Sequence, residues 1–407
     1  MSDEITILII IALFVISILV ARNNEDWLNP LIVFITPVTL QYCIYYFFIS
    51  DKLTPTTNKL FATSSIIFFI GFFYYKLTSR SSLSQIKYVQ SEIPLHLESR
   101  MFMIGITGFG LEAIKAYQLG FAPGGDVFYN LRSRANEVEE TGIGGYLILI
   151  LHIIILYKIY NINPQKQDTK LTKQAIFGVI LLLIASVFTV ARTALSLYLF
   201  SIMGLLYYKR RGEKNKSPAK LFVFFFLIFM IFSYLFASLT NKVESDAGGF
   251  FLTAYLGSPI VAFDRWILNI PHHTYGTNTF AFIFKLLSLI GFSTKIESID
   301  TIYFASLSEF NVYTFMSKPY IDFGEYGLYI CLFLCGFVYS YFSSEMNKFI
   351  KPTWISVLTY SIFLQPLMLS FYEWQCTSSM MLYYLLVVKI INKYFTSTAP
   401  QHQRCKQ

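Results

Sequence analysis

"QAIFGVILLLIASVFTVARTALSLYLFSIMGLLYY", residues 174–208, is apolar almost from end to end. As a single helix it would be about 52 Å long at 1.5 Å per residue, far more than a hydrocarbon core of roughly 30 Å can hold. Both flanks are basic, with Lys170 and Lys173 ahead of the run and "YYKRRGEKNKSPAK" from Tyr207 onward. A chain that begins and ends on one positively charged side has crossed and come back. The run therefore predicts two helices joined by a turn near "FTVARTA", with Arg192 in the turn.

The rest of the chain has the same character. With 55% hydrophobic and 14% charged residues and a mean hydropathy of +0.53, it lacks the charge that the outer face of a soluble domain needs. The apolar runs have the length of membrane-crossing helices, whereas a β-barrel would show short alternating segments. The runs fall at 5–21, 29–50, 58–76, 100–120, 144–161, 174–190, 193–208, 219–239, 325–343, 353–371 and 377–394. The expected fold is all-α, a polytopic bundle of about eleven transmembrane helices. Residues 1–239 would form a transmembrane bundle with an outer loop at 121–143, residues 240–324 a large outer and interfacial loop, and residues 325–407 the last helices and a tail.

The first run follows "MSDE" rather than basic residues, and no small-residue cleavage pattern follows it, so it reads as a retained helix. Loops such as "KLTSRSSLSQIK", "NPQKQDTKLTK" and "EMNKFIKP" collect most of the Lys and Arg on one face. That face is expected to be cytoplasmic, with the N-terminus outside and the C-terminus inside. Topology then accounts for the net charge of +8, and nucleic acid is not an expected partner. Cys43, Cys331, Cys335, Cys376 and Cys405 show no paired spacing and read as buried thiols rather than disulfides or metal ligands.

The informative polar residues belong to the outer face. Arg132, Arg134 and Arg265 lie in its loops, where they either snorkel as ordinary solvated cations or bind an anion. Arg192 sits between apolar runs at the start of a helix, and a cation at that depth beside free helix N–H groups points to an anion such as phosphate. No paired-carboxylate DxD motif stands on this face, so a metal-free reaction is expected. His272 and His273 in "PHHTYG" are candidate bases; as metal ligands they would lack further partners at suitable spacing. Asp322 and Glu325 have the spacing of a capping box ahead of an apolar helix, a role compatible with chemistry at the same place.

Four stretches, "NVYTFMSKPYIDFGEYG" at 311–327, "YGTNTF" at 275–280, "ARTALSLYLF" at 191–200 and "YLGSPIVAFDRW" at 255–266, resemble the Wzy-type oligosaccharide repeat unit polymerases of O-antigen and capsule synthesis. The small-Arg-Thr motif begins here with Ala191, where Ser is common in the family. The resemblance implies a GT-C-like inverting glycosyltransferase of the bacterial inner membrane, without metal or cofactor. Its donor and acceptor would both be undecaprenyl-diphosphate-linked glycans at the periplasmic face. A chain-length regulator and a flippase of the same pathway would be its partners. Arg192, Arg265, Arg134 and Arg132 would then hold the diphosphate, and His272, His273 or Asp322 would take the acceptor proton. Asn311, Tyr313 and Tyr320 would contact the glycan, although interfacial aromatic rings also form belts. An O-antigen ligase-like enzyme and a non-enzymatic flippase for the same lipid-linked unit are the alternatives.

Overall fold

The computed structural model describes residues 1–79, 91–121, 127, 130–131, 143–162, 169–188, 192–210, 224, 227–228, 231, 256–266, 270, 273–289, 291, 302–304, 308–310, 314–347, 353–371, 374–395 and 397–398. The helices are α1 (Asp3–Asn23), α2 (Pro30–Phe48), α3 (Pro55–Thr78), α4 (Leu95–Gly120), α5 (Ile143–Asn161), α6 (Thr169–Phe188), α7 (Arg192–Arg210), α8 (Ser258–Trp266), α9 (Ala281–Leu289), α10 (Ser317–Asn347), α11 (Trp354–Met368) and α12 (Ser379–Ile390). Two minimal antiparallel ladders interrupt the helical architecture: β1 (Ser91–Glu92) with β4 (Ser397–Thr398), and β2 (Ile302–Phe304) with β3 (Ser308–Phe310).

Among the described residues, six helices are long and apolar enough to cross a membrane: α1, α2, α3, α5, Leu171–Phe188 within α6, and α10. Helices α4, α7, α11 and α12 cover four more of the expected spans, and most of 219–239 lies outside the described residues. The expected span 325–343 belongs to a longer helix that opens at Ser317 and breaks at Gly324, so part of the expected loop 240–324 is helical.

The chain forms two compact units. The first comprises Met1–Ser84, Asp246–Lys348 and Phe363–Leu382. Its helix starts follow from local chemistry: Pro30 and Pro55 stand in the first turns of α2 and α3, where a missing N–H is harmless, and Asn29 and Thr54 cap them by accepting from Leu31 N at 3.0 Å and Thr57 N at 3.3 Å. Helices α3 and α10 run side by side in the same direction. Tyr74 meets Phe333 at 5.6 Å between ring centroids, and Tyr75 meets Phe337 at 5.1 Å and Tyr341 at 6.0 Å. The axes come so close that a Cβ on Gly71 would stand 2.1 Å from the Phe333 carbonyl oxygen, and one on Gly336 2.1 Å from that of Phe68. Small residues are what allow such an approach where lipid gives helices no hydrophobic reason to associate.

The second unit comprises Gln85–Ser245, Phe349–Ile362 and Tyr383–Gln407. Its central helix is α5, in which Leu151 and Ile153 to Leu156 are all fully buried. Lys158 Nζ donates to Gln174 Oε1 at 2.9 Å, and Gly178 faces Ile155, so α5 and α6 run antiparallel. His152 meets Ser201 at 2.7 Å and Lys209 Nζ donates to the Ile159 carbonyl at 2.7 Å, so α5 and α7 run parallel. Helices α6 and α7 are therefore antiparallel to each other, and the long apolar run is a hairpin with Arg192 at the first residue of its returning helix.

Candidate functional site

The break in α10 organises a constellation in the first unit. Gly324 has φ +67, a left-handed conformation that side chains other than glycine adopt at a cost. A Cβ added there would also lie 3.1 Å from His273 Nε2. Gly324→Ala is therefore expected to cost about 1–3 kcal/mol and to displace the imidazole, measurable as a lower melting temperature together with altered reactivity of His273 toward diethyl pyrocarbonate.

Two residues before the break, Asp322 is fully buried. Its Oδ1 accepts from Asn278 N at 3.2 Å, from Asn278 Nδ2 at 3.2 Å and from the Thr274 hydroxyl, and its Oδ2 accepts from Thr279 N. The backbone joins in: Thr274 N donates to the Ile321 carbonyl at 3.3 Å and Tyr275 N to the Asp322 carbonyl at 3.1 Å. The expected capping box is corrected here. The Asp322 carboxylate caps the 274–279 turn that leads into α9, while Glu325 accepts from Lys59 at 2.9 Å and from the Tyr329 hydroxyl at 2.8 Å. A carboxylate offers about four acceptor positions, and four donors occupy this one, which suits a structural anchor better than a proton acceptor.

The turn that Asp322 holds carries His273, an exposed ring. Its Nδ1 lies 3.1 Å from the Ile321 carbonyl oxygen. A carbonyl can only accept, so Nδ1 carries a proton, and in the tautomer this fixes Nε2 is the nitrogen able to accept. Tyr320 stands between this ring and α8, with centroid distances of 6.5 Å to His273 and 5.5 Å to Phe263. Its ring thus packs inside the constellation. Further along α8, Arg265 pairs with Asp51 at 2.8 Å and keeps 43% of its side chain exposed. Asp264 Oδ1 accepts from Thr54 N at 3.1 Å and Thr54 Oγ1 at 2.5 Å, tying α8 to the start of α3. Near the same end, the Tyr42 hydroxyl donates to Asn58 Oδ1 at 2.6 Å, and Asn58 Nδ2 donates to Asp3. Tyr275 and Tyr326, flanking His273 and the Gly324 break in sequence, are 81% and 83% exposed.

Of the residues expected to act, Asp322, His273 and Tyr320 come together, and Arg265 lies on α8, the helix whose Phe263 packs against Tyr320. Arg192 belongs to the other unit, where it opens α7. Arg132, Arg134, His272, Asn311 and Tyr313 lie outside the described residues. Among the described residues no group of three His, Cys, Asp or Glu is placed to hold a metal ion.

Two features gave little signal in sequence. Lys59, the partner of Glu325, reads as an ordinary helix cation. In the second unit, fully buried His152 has its Nδ1 2.5 Å from the Tyr384 hydroxyl and its Nε2 2.7 Å from Ser201 Oγ. Ser201 spends its proton on the Leu197 carbonyl at 2.6 Å. It must therefore accept from Nε2–H, which leaves Nδ1 to accept from Tyr384.

These elements define a helical protein with several helices long and apolar enough to cross a membrane. Family models, curated proteins and solved structures were all compared with the chain, and none matches it.

Proposed function

We propose that the protein is a membrane glycosyltransferase that joins undecaprenyl-diphosphate-linked oligosaccharide units into O-antigen or capsular polymer. In this reading it is a GT-C-like bundle of about eleven spans in the bacterial inner membrane, with its N-terminus periplasmic and its C-terminus cytoplasmic. The observation that supports the reading is a cluster of polar and ionic contacts at one end of the first unit. His273, Lys59–Glu325, Arg265–Asp51, Asp264–Thr54 and the Asp3–Asn58–Tyr42 network all gather where α1 and α3 begin. That end would face the periplasm.

In this mechanism His273 Nε2 takes the proton of an acceptor hydroxyl, whose oxygen attacks the anomeric carbon as the bond to the donor diphosphate breaks. Arg265, in the same unit as His273, stabilises the leaving diphosphate and the charge that builds on it. A chain-length regulator and a flippase would serve the same pathway. His273→Ala is expected to slow chain extension by about 10²–10⁴-fold while the melting temperature falls only by what one half-buried hydrogen bond to the Ile321 carbonyl contributes. In cells, deletion of the gene should leave single repeat units on the surface, and long polymer persisting in the deletion strain would refute the assignment.

A transport reading draws on the ionisable groups buried within helices of the second unit, His152 and the Lys158–Glu98 pair. Both are satisfied by partners in their own unit, as structural nodes would be. Liposomes carrying lipid-linked units distinguish the two, since a flippase moves the lipid without lengthening its glycan.

A further inference from the structure

Three of the five cysteines converge on one place in the first unit. Cys335, buried on α10, has its Sγ 3.4 Å from the Sγ of Cys376 in the turn ahead of α12. Cys331 lies one helical turn before Cys335 and is partly exposed. Two sulfurs in contact from segments 41 positions apart need only close to a bond of about 2.05 Å. The turn that must move is short and irregular: Trp374 Nε1 donates to Thr377 Oγ1 at 2.8 Å, Ser378 N donates to the Gln375 carbonyl at 3.1 Å, and Thr377 reaches the Thr279 carbonyl. A turn held by side chains can shift by the required fraction of its length, whereas α10 is fixed along α3.

We infer that Cys335 and Cys376 form a disulfide when the chain meets a thiol-oxidising disulfide. Cys376, the more exposed thiol, attacks one sulfur of the oxidant as a thiolate and releases the other as a thiol. Cys335 then attacks the Cys376 sulfur of the mixed disulfide and expels the second oxidant thiol. Two S–H groups of the protein become one S–S bond, and two protons and two electrons pass to the oxidant. The bond ties the Cys376 turn to α10. Because Thr377 bonds to the Thr279 carbonyl and Asp322 to Thr279 N, it also braces the turn that carries His273.

The test uses the full chain in isolated membranes treated with oxidised glutathione. Free thiols are blocked with N-ethylmaleimide, the sample is reduced, and newly exposed thiols are tagged with a polyethylene-glycol maleimide. Wild type, Cys43→Ser and Cys331→Ser should each gain two tags after reduction, and Cys335→Ser and Cys376→Ser none. Peptide mapping of oxidised wild type, which does not depend on any variant folding, should recover a peptide linking Cys335 to Cys376. Absence of protected thiols in wild type, or a linked peptide containing Cys331 in place of Cys335, would overturn the inference.

Discussion

Asp322→Ala is expected to lower the stability of the folded protein by on the order of 3–5 kcal/mol, because it leaves one buried and one half-buried backbone N–H and a hydroxyl without their acceptor. Each hydrogen bond to a charged group contributes about 1.5–3 kcal/mol, and the loss exceeds a simple count when donors are stranded away from water. The donors are Asn278 N, Asn278 Nδ2, Thr279 N and the Thr274 hydroxyl, all in the turn behind His273, and of these Asn278 Nδ2 keeps a second acceptor in Thr274 Oγ1. Asp322→Asn keeps the shape and one acceptor oxygen but turns an amide N–H₂ toward a donor, so its cost should be smaller, about 1–3 kcal/mol. Thermal unfolding in detergent, with chain extension measured on the same samples, separates the two roles. If Asp322 is an anchor, extension by the Asn variant recovers at a temperature where that variant is fully folded. A folded Asn variant with no activity would show that the carboxylate takes part in the chemistry.

Lys158→Ala should have an effect of similar size in the second unit. The Lys158 and Glu98 side chains are 3% and 10% exposed and in direct contact, at the end of the unit where α4 begins and α5 ends. Removing one member of a buried pair strands the other charge, at a cost of about 3–5 kcal/mol, while replacing both with apolar residues of similar volume is often neutral or stabilising. The double variant Glu98→Leu with Lys158→Met should therefore be more stable than Lys158→Ala alone. Gln174, which also accepts from Lys158, would lose a partner in both. Melting curves of the two variants check this: a double variant no more stable than the single one would mean that Glu98 without Lys158 carries no stranded-charge penalty.

The sequence revealed most where length and charge act together. The 174–208 run is too long for one crossing and has basic flanks, which is sufficient to predict the hairpin seen in α6 and α7. Asp322 and Glu325 were visible as unusual charges beside an apolar run, but their partners were not. The spacing suggested a local cap, whereas Asp322 reaches residues 43 to 48 positions away and Glu325 reaches Lys59. The first contacts are made where the 274–279 turn docks on α10 and the second by the packing of α3 against α10, and neither leaves a periodic trace in the segments it joins. The same holds for His152. A single histidine in an apolar helix has no marker for Ser201 or Tyr384, which complete its hydrogen-bond chain. The break at Gly324 was hidden because "DFGEYG" is compatible with a cap as well as with a left-handed glycine inside a helix.

The central proposal is that the protein lengthens lipid-linked glycans using His273 as base. Its most direct test is purified protein in liposomes with undecaprenyl-diphosphate-linked repeat units as the sole substrate, with products separated by glycan length. Wild type should yield a ladder of successive repeat units and His273→Ala only the starting unit. Undiminished ladder formation by His273→Ala, or wild-type protein that moves the lipid across the bilayer without extending its glycan, would contradict the account.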